Sequence, residues 1–417
     1  MEIVIAGGGV AGLEGLLALQ RALGDRAHLT LIAPDPDFTY RPMAVAEPFG
    51  LGHAHRVPLK RFAQDTGAEL VIEGVAGVDD AGGKVRLADG GERGFDALLV
   101  APGGRPVEGV AGATTWWPGG DSESYGGLLR DLEEGYAKRL AIVVPPGAVW
   151  PLPAYELALM TAGEAREMGQ EDVSITVVTP EHTPLSLFGD QASDALAGEL
   201  KWAGVDVRTG VVARKEGDGL VLEPSGERLD VQRVFAVPRI VGPAIDGLPL
   251  DDEGFIVADD EARVEGCERT WAAGDGVVSP VKFGGLATHQ ARRAAAAIAG
   301  LAGVDLPDPG EPVLHGRLLL GHKTRRLAPK GGGEGAPLWW PHGKVAGEHL
   351  PRWLAENGVS PPPAAEEPPD EGVTIRRPLS AMRGAEAQYL FELSRQFRSA
   401  DPAIASLGRR MREARER

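Results

Sequence analysis

Short apolar runs alternate with segments of helical periodicity along the first hundred residues of the chain. Residues 3–6 form an apolar run, residues 13–23 repeat apolar side chains at helical spacing, and residues 28–32 form the next apolar run. Strands and helices in this order are typical of an α/β fold with a parallel sheet. Further strands are predicted at residues 70–72, 84–87 and 95–100.

The same alternation starts again in the middle of the chain. Residues 139–144 and 173–178 are apolar runs, and residues 154–167 between them have helical spacing. We therefore predict a second α/β unit over residues 109–253, inserted between two parts of the first.

The pattern changes again towards the C-terminus. An alanine-rich helix is predicted over residues 286–301, and residues 311–357 are expected to form an interface region with a strand near its start. Residues 358–372 are rich in Pro and Glu and predict an extended linker. Apolar side chains at helical spacing predict amphipathic helices over residues 373–417.

Composition narrows the class of protein. At 417 residues the chain is too long for a single hydrophobic core. The net charge of −17 argues against a nucleic-acid partner, because binding phosphates needs surplus Lys and Arg. The only cysteine, Cys267, leaves no disulfide pair within the chain, and we assign no metal site. Without a secretory signal pattern, we expect a cytoplasmic protein with at most peripheral contact at the inner face of the membrane.

The stretch Gly7-Gly8-Gly9-Val10-Ala11-Gly12 follows the first apolar run, and its glycines at 7, 9 and 12 match the spacing of a dinucleotide-binding motif. Between a strand and a helix, the first permits a sharp turn, the second lets a pyrophosphate approach the backbone, and the third lets the helix pack closely on the strand. The N–H groups at the helix start, at Val10 and Ala11, then hold the phosphates. This stretch predicts a dinucleotide site.

The end of the second strand is where dinucleotide folds place an acidic residue for a ribose hydroxyl. This chain has Ala33 at that position, with Pro34 and Asp35 after it. Asp35 either substitutes for the missing acid or belongs to a Pro-Asp-Pro turn, and both readings stay open. Arg41 and Pro42 follow in an aromatic segment that either lies along the cofactor or packs as an ordinary loop.

Two later motifs complete a pattern. One strand runs into Ala101-Pro102-Gly103, and another ends in Ala273-Gly274-Asp275. With the first glycine motif, they resemble the flavoprotein family with two dinucleotide-binding domains, although Pro102 replaces that family's usual Thr. The resemblance implies FAD as cofactor, with Asp275 on its ribityl chain. It implies further FAD contacts at Val75, Ala101, Pro102, Gly103, Gly274, Gly285 and Leu286.

In the resembled family, the helix after Asp275 points its N-terminus at the flavin. Lys282 precedes that helix. An ammonium and a helix dipole would both stabilise negative charge on the reduced flavin, so Lys282 is a candidate catalytic residue. The other reading of Lys282 is a solvated surface lysine. His289, further into the helix, is expected to be structural.

The second α/β unit has an unusual first turn. Relatives that use NAD(P)H would carry a second glycine fingerprint there, whereas residues 145–153 contain four prolines, Trp150 and one glycine. Proline has no N–H for a phosphate, and the indole would crowd it. We therefore predict impaired nicotinamide binding, although Glu181 after the next strand leaves an atypical mode open.

Residues 153–156, Pro-Ala-Tyr-Glu, resemble the sulfide:quinone oxidoreductase branch, which is grouped with the type II NADH dehydrogenases. That branch places a redox cysteine six residues before the Glu, where this chain has Trp150, and Cys267 matches none of its cysteines. The thiol chemistry therefore does not transfer. Glu156 faces the flavin in the resembled family, where it would position a substrate or relay a proton. The other reading is a glutamate favoured by the helix dipole.

Two tryptophan pairs, Trp116-Trp117 and Trp339-Trp340, each precede a proline. Paired indoles either wall a site for a planar acceptor such as a quinone or belong to the core or an interface. The short apolar faces near the C-terminus favour packing on a partner subunit over membrane contact, so we expect a homo-oligomer.

The predicted fold is α/β, with two Rossmann-like dinucleotide-binding domains and a C-terminal α+β region. The FAD domain is discontinuous, at residues 1–108 and 254–310, around the inserted unit. The expected function is FAD-dependent passage of two electrons through flavin N5 from an unidentified donor to an acceptor such as a quinone. The alternatives are an NAD(P)H:quinone or NAD(P)H:acceptor reductase with an atypical nicotinamide site, and a flavin-binding structural or redox-sensing protein with little turnover.

The purified protein is expected to be yellow, because three FAD motifs occur together in one chain. Visible absorbance, followed by chromatography of the flavin released on denaturation, checks this and separates FAD from FMN. A correctly folded sample without flavin absorbance would contradict the assignment.

Overall fold

A computed structural model describes most of the chain before residue 360. The described residues are 1–119, 122–147, 150–279, 282–310, 312–314, 316–321, 323–327, 334–337, 344–345, 347–359 and 373–374. Among the described helices, none has the length and apolar character needed to cross a membrane.

The described chain contains both strands and helices throughout, with runs of consecutive strands over residues 69–115 and 205–272. The strands are β1 (Glu2–Ala6), β2 (His28–Ala33), β3 (Asp37–Tyr40), β4 (His55–Pro58), β5 (Glu69–Ile72), β6 (Val75–Asp79), β7 (Lys84–Leu87), β8 (Glu92–Gly94), β9 (Ala97–Val100), β10 (Arg105–Val107), β11 (Thr114–Thr115), β12 (Arg139–Val143), β13 (Ser174–Val178), β14 (Val205–Arg208), β15 (Val212–Glu216), β16 (Gly219–Glu223), β17 (Glu227–Leu229), β18 (Arg233–Ala236), β19 (Arg239–Val241), β20 (Thr270–Ala272), β21 (Val313–Leu314), β22 (Gly316–Leu319), β23 (Lys323–Leu327), β24 (Glu334–Pro337) and β25 (Val373–Thr374). The α-helices are α1 (Val10–Leu23), α2 (Leu59–Thr66), α3 (Ser122–Glu133), α4 (Leu152–Glu167), α5 (Asp190–Ala203), α6 (Gly284–Leu301) and α7 (Leu350–Glu356).

The first sheet has the strand order β20-β9-β1-β2-β5, and all its pairings are parallel. Its central strands are almost wholly apolar because both faces are covered, as expected of a parallel sheet. Helices α1 and α6 pack against each other on one face. Small residues permit this close packing: a Cβ on Gly15 would lie 2.3 Å from Leu99 Cδ2 and 3.9 Å from Ala291 Cβ.

A second parallel sheet is formed by residues between 114 and 236, with the order β11-β18-β12-β13-β14. Helices α3, α4 and α5 connect its strands, and α4 is almost wholly buried. This is the second α/β unit expected from the sequence. The antiparallel pair β10–β19 lies where the chain passes between the two sheets. The exact domain boundaries at residues 108 and 253 stay predictions.

The observed elements follow the sequence pattern with local differences. Helix α6 begins at Gly284, two residues before the predicted start, because Phe283 takes an extended conformation and serves as its N-cap. The predicted strand near residue 314 is present as β21 and β22. Helix α7 was not predicted. Residues 373–374, at the start of the predicted C-terminal helices, instead form β25, which pairs with β21. The rest of the predicted helices over 373–417, most of the linker and the Trp339-Trp340 pair lie outside the described residues.

Candidate functional site

The glycine turn between β1 and α1 has the geometry of a phosphate-binding turn. Gly7 has φ +134°, and a Cβ there would lie 2.0 Å from Ala101 O. A Cβ on Gly12 would lie 1.8 Å from Gly7 O, whereas one on Gly9 would meet nothing within 4 Å. Packing therefore requires the first and third glycines, and the second faces open space. Since no side chain caps α1 at Gly9, its N-terminal amides can hold an anionic group.

The other two motifs meet this turn at the carboxyl edge of the first sheet. β20, β9 and β1 are consecutive in the sheet order, so the turns that follow them are neighbours. A Cβ on Gly276 would lie 2.9 Å from Gly103 O and 3.3 Å from Pro102 Cγ. Gly274 N donates to Gln290 Oε1 on α6 at 2.9 Å. The residues present at this edge therefore fit the FAD site that the sequence predicts.

Charged groups gather around Asp275, which is partly buried. Burial raises the pKa of Asp275, and the charges of Lys282 and Arg41 oppose that rise. Lys282 is 3% exposed, and its Nζ donates to Val277 O at 2.6 Å and lies 3.7 Å from the ring centroid of Phe255. The reading of Lys282 as a solvated surface lysine was therefore wrong.

The end of β2 supports the turn reading of Asp35. Its side chain is exposed, and Oδ1 accepts from Asp37 N at 2.9 Å, which is an Asx turn. Pro34 is also exposed, whereas Val75 at the start of β6 is partly buried. Contacts of these residues with the cofactor stay predictions.

The turn before α4 offers few amides to a phosphate. Pro151 is the N-cap, Pro153 lies in the first turn, and Ala154 N already donates to Pro151 O at 3.0 Å. Trp150 is partly buried and packs beside Phe283, with ring centroids 5.0 Å apart. Within the described residues, this turn therefore lacks the open helix start that holds a second dinucleotide.

Glu181, the candidate ribose ligand of the second sheet, is engaged inside the protein. Its Oε2 accepts from Tyr155 OH at 2.5 Å and from Thr179 Oγ1 at 3.0 Å. Leu185 N donates to Oε1 at 3.0 Å. Burial raises the pKa of Glu181, and these hydrogen bonds oppose the rise. A ribose hydroxyl would have to displace or share these donors.

Glu156, the fifth residue of α4, forms a buried ion pair that the sequence did not reveal. Glu156 has no exposed surface, and its Oε1 and Oε2 lie 2.8 Å and 2.9 Å from Lys344 Nζ. Leu319 N also donates to Oε1, at 3.0 Å. Lys344 Nζ donates in addition to Pro42 O at 3.0 Å, which joins the pair to a predicted FAD contact.

Opposing effects act on the protonation of Glu156. Burial raises its pKa, while the positive charge of Lys344 and the hydrogen bond from Leu319 oppose the rise. This direction is expected of a carboxyl in apolar surroundings, where burial disfavours the charged form. A carboxyl whose protonated form is favoured by burial and opposed by one ammonium can change protonation when its surroundings change charge.

The surroundings of Cys267 and Trp116 favour a structural role for each residue. Burial and the charge of Asp80 raise the pKa of Cys267 to about 11, so its thiolate is scarce near neutral pH. Trp116 is 3% exposed and belongs to the same hydrophobic core as Tyr125 and Phe235. Of the two readings of this tryptophan, the structure supports core packing.

The fold and these motifs match known proteins. A model of the pyridine nucleotide-disulphide oxidoreductase family matches residues 1–299. The sulfide:quinone oxidoreductase from the hyperthermophilic bacterium Aquifex aeolicus has a similar structure, with a TM-score of 0.68 and 18% identity, covering 86% of this chain and 89% of that chain.

Two further solved structures share the fold. NDH2 from Plasmodium falciparum, solved in complex with NADH, has a TM-score of 0.62 and 13% identity and covers 80% of this chain and 91% of its own. The ferredoxin reductase for the CYP199A2 system from Rhodopseudomonas palustris has a TM-score of 0.59 and 21% identity, covering 78% of this chain and 81% of its own. At these identities, the likenesses establish the fold and leave the substrates to be determined.

Gly9→Ala and Gly12→Ala are expected to separate cofactor binding from folding. The Gly9 Cβ would enter open space, so we expect a folded protein whose FAD dissociation constant rises at least about tenfold, because the phosphate approach is blocked. The Gly12 Cβ would overlap Gly7 O, so we expect a loss of folded protein. Thermal unfolding and FAD titration of the stripped protein measure both effects.

Gly163→Ala in α4 is the matched control, since a Cβ there meets nothing within 4 Å. It should leave FAD affinity unchanged and stabilise the helix by about 0.5–1 kcal/mol. Equal FAD affinity in Gly9→Ala and the unsubstituted protein would argue against this turn as the cofactor site.

Proposed function

Because the chain belongs to the pyridine nucleotide-disulphide oxidoreductase family, we propose that it passes two electrons from a small-molecule donor to a quinone-class acceptor without a redox cysteine. It is an FAD-dependent oxidoreductase, and FAD supplies the two-electron chemistry when bound. Gly7, Gly9 and the start of α1 would hold its phosphates. Asp275 would accept a hydrogen bond from its ribityl chain.

Lys282 and the N-terminus of α6 supply positive potential beside the site. A buried ammonium acts more strongly than an exposed one because less water screens it. Lys282 is held by Val277 O and the face of Phe255, two residues before α6 begins. In this proposal, the charge of Lys282 and the dipole of α6 stabilise negative charge on the reduced flavin when it is bound.

The observation that carries the proposal is what the N-terminal end of α4 contains. A nicotinamide site needs open amides at the helix start, and this helix instead has prolines there, with the buried Glu156–Lys344 pair directly after its first turn. Such a pair can bind and release protons rather than hold a phosphate. The geometry therefore favours an acceptor whose reduction consumes protons.

Quinone reduction meets that requirement. Conversion of a quinone to a quinol adds two electrons and two protons, so an apolar cleft must contain a proton donor. The two electrons and one of the protons would come from the reduced cofactor when it is bound. Glu156 donates the second proton to an acceptor oxygen, and Lys344 stabilises the carboxylate that this transfer leaves behind. Burial of both side chains keeps bulk water from competing with the transfer.

A thiol step forms no part of the proposal. Trp150 stands where the resembled branch has a cysteine. Cys267 packs beside the apolar cluster on the face of the first sheet opposite α1 and α6. With a raised pKa, Cys267 is a poor nucleophile near neutral pH. The proposal also includes a homo-oligomeric state and at most peripheral membrane contact.

An NAD(P)H:acceptor reductase is the second candidate. Glu181 lies three residues after the end of β13, near the position where an acidic residue binds ribose in dinucleotide folds, and the structurally similar NDH2 was solved with NADH. The internal hydrogen bonds of Glu181 weigh against this use.

Substitution of the ion pair should change the rate and pH dependence of flavin reoxidation by a quinone. Glu156→Gln should lower the rate by about 10²–10⁴-fold, the usual contribution of a general acid. With Glu156 as proton donor, the rate falls as pH rises through its pKa. Lys344→Met removes the charge that opposes protonation, so this fall should move to higher pH. Stopped-flow absorbance across a pH series measures both effects.

The double variant Glu156→Gln/Lys344→Met controls for loss of folding, because it leaves no unpaired buried charge. It should be as slow as Glu156→Gln and should lack the pH-dependent fall. A wild-type pH profile in Lys344→Met, together with a wild-type rate in Glu156→Gln, would contradict the assigned role.

Anaerobic mixing with NADH or NADPH is expected to leave the flavin absorbance unchanged, because the α4 start offers no open phosphate cradle. A parallel screen of sulfide and small organic reductants should identify a donor that bleaches the flavin. Rapid, saturable bleaching by either nucleotide would favour the reductase instead.

A further inference from the structure

Glu14 is a buried carboxylate on α1, two residues after the third glycine of the phosphate-binding turn. It has no exposed surface. Its two oxygens accept from three consecutive backbone amides: Glu348 N at 2.8 Å, His349 N at 3.1 Å and 3.2 Å, and Leu350 N at 2.7 Å. The charge thus lies at the start of α7, where donors are otherwise unsatisfied.

The chain just before these amides runs past the proposed reaction site. Lys344 pairs with Glu156, and the side chain of Val345 lies against α6, since a Cβ on Gly284 would lie 3.0 Å from Val345 Cγ2. A Cβ on Gly347 would lie 3.0 Å from Thr288 Cγ2 and 3.2 Å from Glu14 Oε2. Residues 344–345 and 347–350 are named the C-terminal segment below. Only a few residues separate the contact of this segment with Glu156, through Lys344, from its contact with Glu14, through Glu348 N.

The far end of this segment is held by α7. The ring of Trp353 stacks on Phe62 with centroids 3.8 Å apart, and its Nε1 donates to Asp65 Oδ2 at 2.9 Å. Arg61 donates to Asn357 Oδ1 at 3.2 Å. Packing on α2 thus fixes α7, while Glu14 fixes the point at which the segment leaves α7 towards Lys344.

We infer that Glu14 is a positioning residue that anchors the C-terminal segment and thereby sets Lys344 against Glu156. The inference rests on the proposed role of the Glu156–Lys344 pair. An ammonium on a flexible side chain keeps a buried partner only if its backbone is fixed. Glu14 fixes it from the helix that also presents the glycine turn to the cofactor, so one helix serves both sites.

The charge of Glu14 matters, not only its shape. Glutamine at this position would keep the size of the side chain, but its amide NH₂ would face backbone N–H groups and one acceptor oxygen would be lost. Charge-assisted hydrogen bonds are the strong ones, so the amides of residues 348–350 would lose much of their protection from exchange. The removal of the anchor would let Lys344 move away from Glu156.

The test is Glu14→Gln in the FAD-loaded protein. Hydrogen–deuterium exchange at the amides of residues 348–350 should accelerate by roughly 10–100-fold. Acetylation of Lys344 by an amine-reactive reagent, followed by mass spectrometry, should accelerate by about tenfold as the ion pair loosens. The pH-dependent fall of quinone reduction should move to higher pH, as in Lys344→Met.

Glu2→Gln is the matched control, because it removes the same charge from an exposed position in the same domain. It should change none of the three readouts. Gly347→Ala keeps both buried charges and perturbs the segment, because its Cβ would press on Thr288 Cγ2 and on Glu14 Oε2. It should accelerate Lys344 acetylation in the same direction, whereas Gly300→Ala on α6, where a Cβ meets nothing within 4 Å, should not. This pair keeps the test available if Glu14→Gln folds poorly.

Unchanged exchange and unchanged Lys344 acetylation in Glu14→Gln would overturn the inference. Faster exchange with an unshifted pH profile would also overturn it, because Glu14 would then be structural only. If no quinone reoxidises the wild-type flavin, the proposed function fails, while exchange and acetylation still report whether Glu14 anchors Lys344.

Discussion

A carboxylate removed from water must find its donors inside the protein, and much of this structure depends on how that requirement is met. Glu14 and Glu156 have no exposed surface, and each accepts hydrogen bonds from residues beyond position 310. Arg292 on α6 adds a positive charge 3.9 Å from Glu14 Oε1. The two acids therefore hold the C-terminal segment across the FAD domain and the inserted unit. Glu181 is satisfied within its own unit by Tyr155, Thr179 and Leu185.

The two α/β units differ at the starts of helices α1 and α4, and this difference underlies the different roles proposed for the two helix starts. At α1, glycines leave the helix start open, with nothing within 4 Å of a Cβ on Gly9. At α4, Pro151 and Pro153 leave fewer amides, and Glu156 places a carboxylate directly after the first turn. The first helix start suits a phosphate, whereas the second suits proton exchange with an acceptor.

Local patterns predicted the parts of the molecule that depend on local chemistry. The glycine turn, the motif at Asp275 and most strands follow from spacing and from the steric freedom of glycine. Lys344 was missed because its partner Glu156 is 188 residues away and nothing near Lys344 marks it as buried. Glu14 did leave a signal, as a charge within the apolar part of α1 that precedes Gln20 and Arg21. Its donors, however, are backbone amides at the start of an unpredicted helix.

Infrared difference spectroscopy of the flavin oxidation–reduction cycle tests the central claim most directly, because it observes the protonation of a carboxyl. The account predicts a C=O stretching band of a protonated carboxyl that changes with the cycle, shifts in Lys344→Met and is absent in Glu156→Gln. A cycle without a carboxyl band, or a band that persists in Glu156→Gln, would contradict the claim that Glu156 is the proton donor.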